Sequence, residues 1–163
     1  MARKLIEVER AREIVLEGLT TLPAEKVELA GALGRVLAED VTSADAVPGF
    51  DNSAMDGFAV RSADLTAAAP GSPGRLRVAG ESRAGHPAAM SLGPGEAIRI
   101  STGAMLPDGA DAVIRVEEAV GHERDGAAEE LVTDVCPEPG RDIRRAGEDI
   151  QPGDQVIAAG TAI

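Results

Sequence analysis

Proline and glycine divide this chain into short pieces. Pro70-Gly71, Pro73-Gly74, Gly93-Pro94-Gly95, Pro107-Asp108-Gly109, Pro139-Gly140 and Pro152-Gly153 recur along its length, and together 19 Gly and 10 Pro stand among 163 residues. Such pairs make turns, because proline fixes φ near −65° and glycine accepts positive φ. The segments between them are strand-like. Val27 and Leu29 alternate with charged residues, as do Leu76 and Val78, and Ile98 and Ile100, while GFAVR (57–61), DAVIRVEE (111–118) and ELVTDV (130–135) extend the pattern. Short strands between turns predict a mainly β fold after residue 23.

Before Pro23 the pattern is helical. Leu5, Val8, Ala11, Val15 and Leu19 recur at spacings of three and four, predicting an amphipathic helix over residues 3–19 that Gly18 and Pro23 bring to an end. Its apolar stripe needs a partner. Without one, residues 1–20 are expected to self-associate or lose local order. TAAAPGSPG (66–74) reads as a surface loop, and GHERDGAAEE (121–130) as the polar tip of a hairpin. No internal repeat is evident.

Charge narrows the function. The net charge is −12 and there is no Trp or Tyr, so the chain lacks both the basic footprint and the stacking platforms of a nucleic-acid binder. An anionic membrane surface is disfavoured on the same ground, and no apolar run approaches the length needed to cross a bilayer. The charged N-terminal stretch carries no secretory core, and the single cysteine, Cys136, cannot form an internal disulfide; both fit a cytoplasmic protein. One Cys and two His (His86, His122) give poor material for a zinc site. Cys136 reads as a small apolar residue and His86 as a loop histidine. A small anionic ligand would need local arginines, amide nests or a bound cation to overcome the overall repulsion.

VPGFDNSAMDGFAV (47–60) stands out. It holds the only two phenylalanines, Phe50 and Phe58, around a polar turn. Asp and Asn bend the chain through bonds to their own backbone, and Gly57 permits positive φ. Phe50, Met55 and Phe58 are expected to pin this turn to the core. Asp51, Asn52, Ser53 and Asp56 are then either turn formers alone or the fixed donors and acceptors of a preorganised site. Asp51 does not begin an EF-hand, since its fifth position is Met55 and its twelfth Ser62; Asn52-Ser53-Ala54 is not a glycosylation sequon.

With VPGFDNSAMDGFAVR, the segments ALGRVLAEDV (32–41), IRISTGAMLPDGADAVIRVEE (98–118) and RDIRRAGEDIQPGDQVIAAGT (141–161) resemble, in the same order, the MoeA family of molybdopterin molybdenumtransferases, which includes the gephyrin E domain. The resemblance covers nearly the whole chain. Family members are much longer, so the chain is expected to be an N-terminal portion that lacks the pterin-binding α/β domain and is inactive alone. The resemblance implies an irregular, bifurcated β-sheet domain over 47–144. It implies an elongated linking and dimerisation domain from 21–46 with 145–163, and a helix over 1–20 that packs on the absent domain.

The implied reaction inserts molybdate into adenylated molybdopterin with a divalent cation, Mg²⁺, giving molybdenum cofactor and AMP. By resemblance, Asp56 is the functional aspartate and a Mg²⁺ or water ligand, and Asp149 matches a second position tied to activity. Thr102, at a strand end before Gly103, places a hydroxyl beside exposed amides; its companion is Ser101. Arg144 and Arg145, with Arg141 nearby, form either an anion-facing patch or an internal ion network with Glu148 and Asp149. Asn52 and Ser53 complete the expected substrate-binding set, though they shape the loop more than they react. Gly57 and Gly103 read as backbone requirements. The family is dimeric, each active site being shared between subunits, and the molybdopterin adenylyltransferase is a candidate partner; neither nucleic acid nor a membrane is expected. The alternative is a non-catalytic dimerisation or scaffold module of the gephyrin E-domain type.

Overall fold

A computed structural model describes residues 5–125 and 128–163. The chain divides into two units: Met1–Val41 with Ile157–Ile163, and Thr42–Val156.

The second unit is built on a six-stranded sheet of order β6-β3-β5-β4-β8-β7. Its strands are β3 (Gly57–Val60), β4 (Gly74–Ser82), β5 (Glu96–Ile100), β6 (Ala112–Arg115), β7 (Ala119–Asp125) and β8 (Ala128–Thr133). β3 runs antiparallel to both β5 and β6, and β4 parallel to β5 with a register shift between Val78 and Gly80. Two short pairs accompany the sheet: β2 (Asn52–Ser53) with β9 (Ile143–Arg144), and β1 (Val41–Thr42) with β10 (Gln155–Ile157).

The centre of the sheet is buried on both faces, which explains why β3 and β6 read as continuous apolar runs rather than alternating ones. Phe58 and Val60 of β3, Ala112 and Ile114 of β6, and Leu76, Ala97 and Leu131 form one cluster with Leu65 and Ala68. The intervening residues Ala59 and Val113 face the opposite side and pack with Ile100 and Ala104. The pleat thus sends alternate residues of one strand into two cores. Arg99, paired with Glu129, lies 5.1 Å over the Phe58 ring.

In the first unit, α1 spans Val8–Leu16, shorter than the expected 3–19, with no buried residue; residues 1–4 lie outside the described set. Leu5, Val8, Val15 and Leu19 are all largely exposed. Segments 34–40 and 159–163 exchange backbone bonds, from Gly34 N–H to Ile163 O at 2.7 Å and from Leu37 N–H to Thr161 O at 2.9 Å. Asp40 accepts the Ala159 N–H at 2.7 Å.

The structure corrects several local expectations. Val27 and Leu29 form no strand: 21–28 is irregular and Leu29–Gly31 a 3₁₀ turn, because alternation without a pairing neighbour leaves backbone groups to solvent. Strand character runs into 121–130, from β7 through Asp125 and from Ala128 into β8; the tip itself, 126–127, lies outside the described residues. The loop at 66–74 is a mostly exposed turn closed by reciprocal Ala69–Ser72 bonds. Of the three expected anchors only Phe58 is core; Phe50 is 43% exposed and Met55 half-buried, and neither belongs to the buried clusters. Cys136 is exposed rather than packed. Gly57 is required by close approach rather than by positive φ, since a Cβ there would stand 2.0 Å from Ile114 O.

Candidate functional site

Three loops of the second unit converge around β2: residues 51–56, 101–106 and 141–149. Backbone bonds fix them. Ser53 N–H donates to Ala104 O at 3.1 Å, Gly103 N–H to Ser53 O at 2.8 Å, and Leu106 N–H to Asp51 O at 2.9 Å. On the other side of β2, Asn52 pairs with Arg144 and Ser53 with Ile143, and Ala54 N–H donates to Asp142 O at 2.9 Å. Gly103 turns the second loop with φ +77°, which a side chain would strain.

Asp56 and Thr102 are brought into direct contact. Oδ1 of Asp56 accepts both the Thr102 backbone N–H at 2.7 Å and the Thr102 hydroxyl at 2.9 Å. Both residues are exposed. The Thr102 amide, and after it the hydroxyl, hold the Asp56 carboxyl below its ordinary value. Both bonds land on Oδ1, and Oδ2 accepts none from the described residues. The result is a fixed, ionised carboxylate with one oxygen available. A carboxylate held below its usual range is a poor general base near neutral pH but a good cation or water ligand.

The other expected residues divide. Asn52 and Ser53 are buried, and their side chains bond within their own loop, Asn52 to Phe50 O at 3.1 Å and Ser53 to Met55 O at 2.5 Å. They build the turn rather than present groups to a ligand. Ser101 is half-buried and its N–H donates to Ser82 O at 3.1 Å. Arg144 pairs with Asp149, and Arg145 with Asp51, whose Oδ1 also accepts the Ala146 N–H at 2.8 Å. These partners hold Arg144 above its ordinary value and Asp51 below. Asp149 also borders a hollow of about 430 Å³ with Ile150, Asp154, Gln155 and Val156. Both arginines therefore stand at this end of the unit already neutralised.

A larger cleft, of about 710 Å³, runs along the β4 irregularity between Glu81, Arg83, Arg99 and Glu129. It contains none of the candidate residues, and its two arginines are paired with its two glutamates. No group of three or more His, Cys, Asp or Glu able to hold a metal occurs among the described residues, nor any helix long and apolar enough to cross a membrane.

One group escaped the sequence reading. Asp142 takes both Nε and Nη2 of Arg115, at 2.9 and 2.8 Å, and adopts φ +53°. Its signal was an Asp two residues after Pro139-Gly140, a residue type that tolerates the left-handed region.

The family model for the MoeA N-terminal region (domain I and II) matches residues 6–163. The molybdopterin molybdenumtransferase of Haemophilus influenzae is 41% identical over 160 residues, which is 98% of this chain and 37% of that protein. Gephyrin of Dictyostelium discoideum is 34% identical over 174 residues, 96% of this chain and 23% of that protein. A crystal structure of a molybdopterin biosynthesis MoeA protein from Pyrococcus horikoshii OT3 superposes with a TM-score of 0.85 at 36% identity, covering 98% of this chain and 41% of that one. The chain thus spans well under half the length of these relatives. Its match over nearly all its residues shows that it belongs to the MoeA N-terminal-region family.

Proposed function

We propose that this chain supplies one half of a molybdenum-insertion site, at which molybdate enters adenylated molybdopterin to give molybdenum cofactor and AMP. The observation that carries the reading is the Asp56 carboxylate, exposed, kept ionised and immobilised by Thr102, with Oδ2 left open.

The substrates are anions meeting a chain of net charge −12. The nearby arginines offer little unspent charge, since Arg144 and Arg145 are each paired with a carboxylate. A cation must therefore offset the repulsion. Mg²⁺ keeps several waters and binds through one or two carboxylates plus substrate phosphates. A single open oxygen on Asp56, with no three-residue acidic cluster among the described residues, fits that mode and not an all-protein cage. Such a cation would screen the phosphoanhydride and the incoming molybdate. Asp56 orients it, Thr102 and Gly103 fix Asp56, and Asp149 holds Arg144 at the rim. Ser101 is the further substrate contact in this reading. In this reading the remaining half of the pocket is built from sequence that the longer relatives carry beyond the matched region, on a partner subunit. A cytoplasmic setting suits the unpaired Cys136.

The direct test is a chimera in which this chain replaces the matched segment of the Haemophilus influenzae relative. It should release AMP from adenylated molybdopterin in a molybdate-dependent manner, while the chain alone should not. A folded chimera that binds its substrates without turnover would instead favour a non-catalytic dimerisation module.

A further inference from the structure

We propose that Asp142 is a positioning residue for Asp56: its left-handed backbone and its ion pair with Arg115 aim the Asp142 carbonyl at the loop that carries Asp56. This rests on the role given to Asp56 above. Asp142 is the one non-glycine with positive φ among the described residues. That conformation costs free energy for any residue with a Cβ, and glycine would adopt it without strain. An aspartate there is explained by its side chain. The Asp142 carboxylate accepts two parallel bonds from the Arg115 guanidinium and stands 3.5 Å from Nε of Arg141, with its side chain 12% exposed. A bidentate pair of this kind fixes orientation as well as distance.

Both ends of the pair grip the same loop. The Asp142 carbonyl accepts the Ala54 N–H at 2.9 Å. Arg115 lies opposite Gly57 in the β3–β6 register, and the next residue, Val116, donates its N–H to Asp56 O at 3.0 Å. Residues 54–57 are thus bracketed between Asp142 and Arg115, and the Asp142–Arg115 pair closes the bracket. Thr102 sets the rotamer of Asp56; Asp142 sets where its backbone stands. Arg141 adds a second tie through its own pair with Glu118.

Amide hydrogen exchange on this chain tests the bracket. Asp142→Asn keeps the shape and the tolerance of positive φ but removes the charge. Exchange at Ala54 and Thr102 should quicken roughly tenfold or more, the effect expected when a charge-assisted bond is lost from a local opening equilibrium. Amides of Leu76, Ile98 and Leu131 should keep their rates. Arg115→Gln should reproduce this pattern, and the double variant should exceed neither single. Unchanged exchange at Ala54 and Thr102, equal loosening across the sheet, or additive single effects would each overturn the proposal. If Asp142→Asn fails to fold, Arg115→Gln decides on the same readout.

In the chimera, Asp142→Asn should lower kcat by up to about 100-fold with KM little changed, as misplacement of a reacting group does. Unchanged kcat in a chimera that Asp56→Asn inactivates would overturn the positioning role. Unchanged kcat in both variants would remove Asp56 from the reaction itself, whatever the exchange rates show.

Discussion

Asp56 Oδ1 accepts the amide and the hydroxyl of the same residue, Thr102, at 2.7 and 2.9 Å. Two donors from one partner remove the freedom of the carboxylate to rotate, and both favour its ionised form. The pairing joins the tip of the 51–56 loop to the end of β5, elements 46 positions apart in sequence.

Removing the hydroxyl isolates its share of that effect. In Thr102→Ala the backbone donor remains, so the Asp56 titration midpoint should rise toward the ordinary carboxylate value without reaching it. Because the folded value lies below the unfolded one, the stability this contact adds is present above the ordinary carboxylate value and is lost as pH falls through the folded value. An NMR titration of the Asp56 carboxyl carbon measures the shift; an unmoved midpoint would show the hydroxyl to be idle.

The Asp142–Arg115 pair should give the chain an acid-sensitive element. Arg115 first, through its hydrogen bonds, holds Asp142 below its ordinary value against the opposing effect of burial. The stabilisation is therefore complete above the unfolded carboxylate value, near ~3.9, and disappears below the depressed folded value. Urea midpoints of the wild type and Asp142→Asn should differ at neutral pH and converge as pH falls through the depressed folded value. A constant difference would assign the effect to packing instead.

The two rings should behave unequally. Phe58 is fully buried at the centre of the sheet, and Phe58→Ala is expected to cost about 3–5 kcal/mol. Phe50 is half-exposed, and Phe50→Ala should fall within about 1 kcal/mol. Gly57→Ala, whose Cβ would enter the Ile114 carbonyl, should cost about 3 kcal/mol or more. Denaturant unfolding of the three variants orders them; equal costs for the two phenylalanines would contradict the placement of β3.

What the sequence revealed follows from the range of the physics involved. β3 and β6 were legible because apolar runs between turn residues depend on neighbours in the chain, and a strand buried on both faces needs no alternation; β5 was legible because Ile98 and Ile100 alternate about Arg99. Val27 and Leu29 alternated equally well and formed no strand, since a strand also needs a pairing partner that local pattern does not disclose. Both phenylalanines flanked one loop, yet only the one inside β3 was carried into the core. The Asp56 loop was legible through its resemblance, but its lock on Thr102 was not. Arg145 meets Asp51 from 94 positions away, and Asp142 meets Arg115 across 27. Such pairings are set by how loops close over β2, and composition records only that charges of both signs are present.

Arg144 and Arg145 face a choice of partner that experiment can read. If they engage the substrate by exchanging Asp149 and Asp51 for its anionic groups, Arg144→Gln with Arg145→Gln in the chimera should raise KM for adenylated molybdopterin and flatten its salt dependence. Stability should change little, as for exposed ion pairs screened by solvent. An unchanged KM and salt slope would leave both arginines as members of an internal network.

The most direct test is molybdate-dependent AMP release by the chimera carrying Asp56→Asn, titrated with Mg²⁺. The substitution keeps the shape and removes the charge that would hold the cation. The prediction is a folded protein, with the β-sheet amides protected as before, whose turnover is lost and is not restored by raising Mg²⁺. Turnover equal to that of the unsubstituted chimera, at the same Mg²⁺ dependence, would contradict the account.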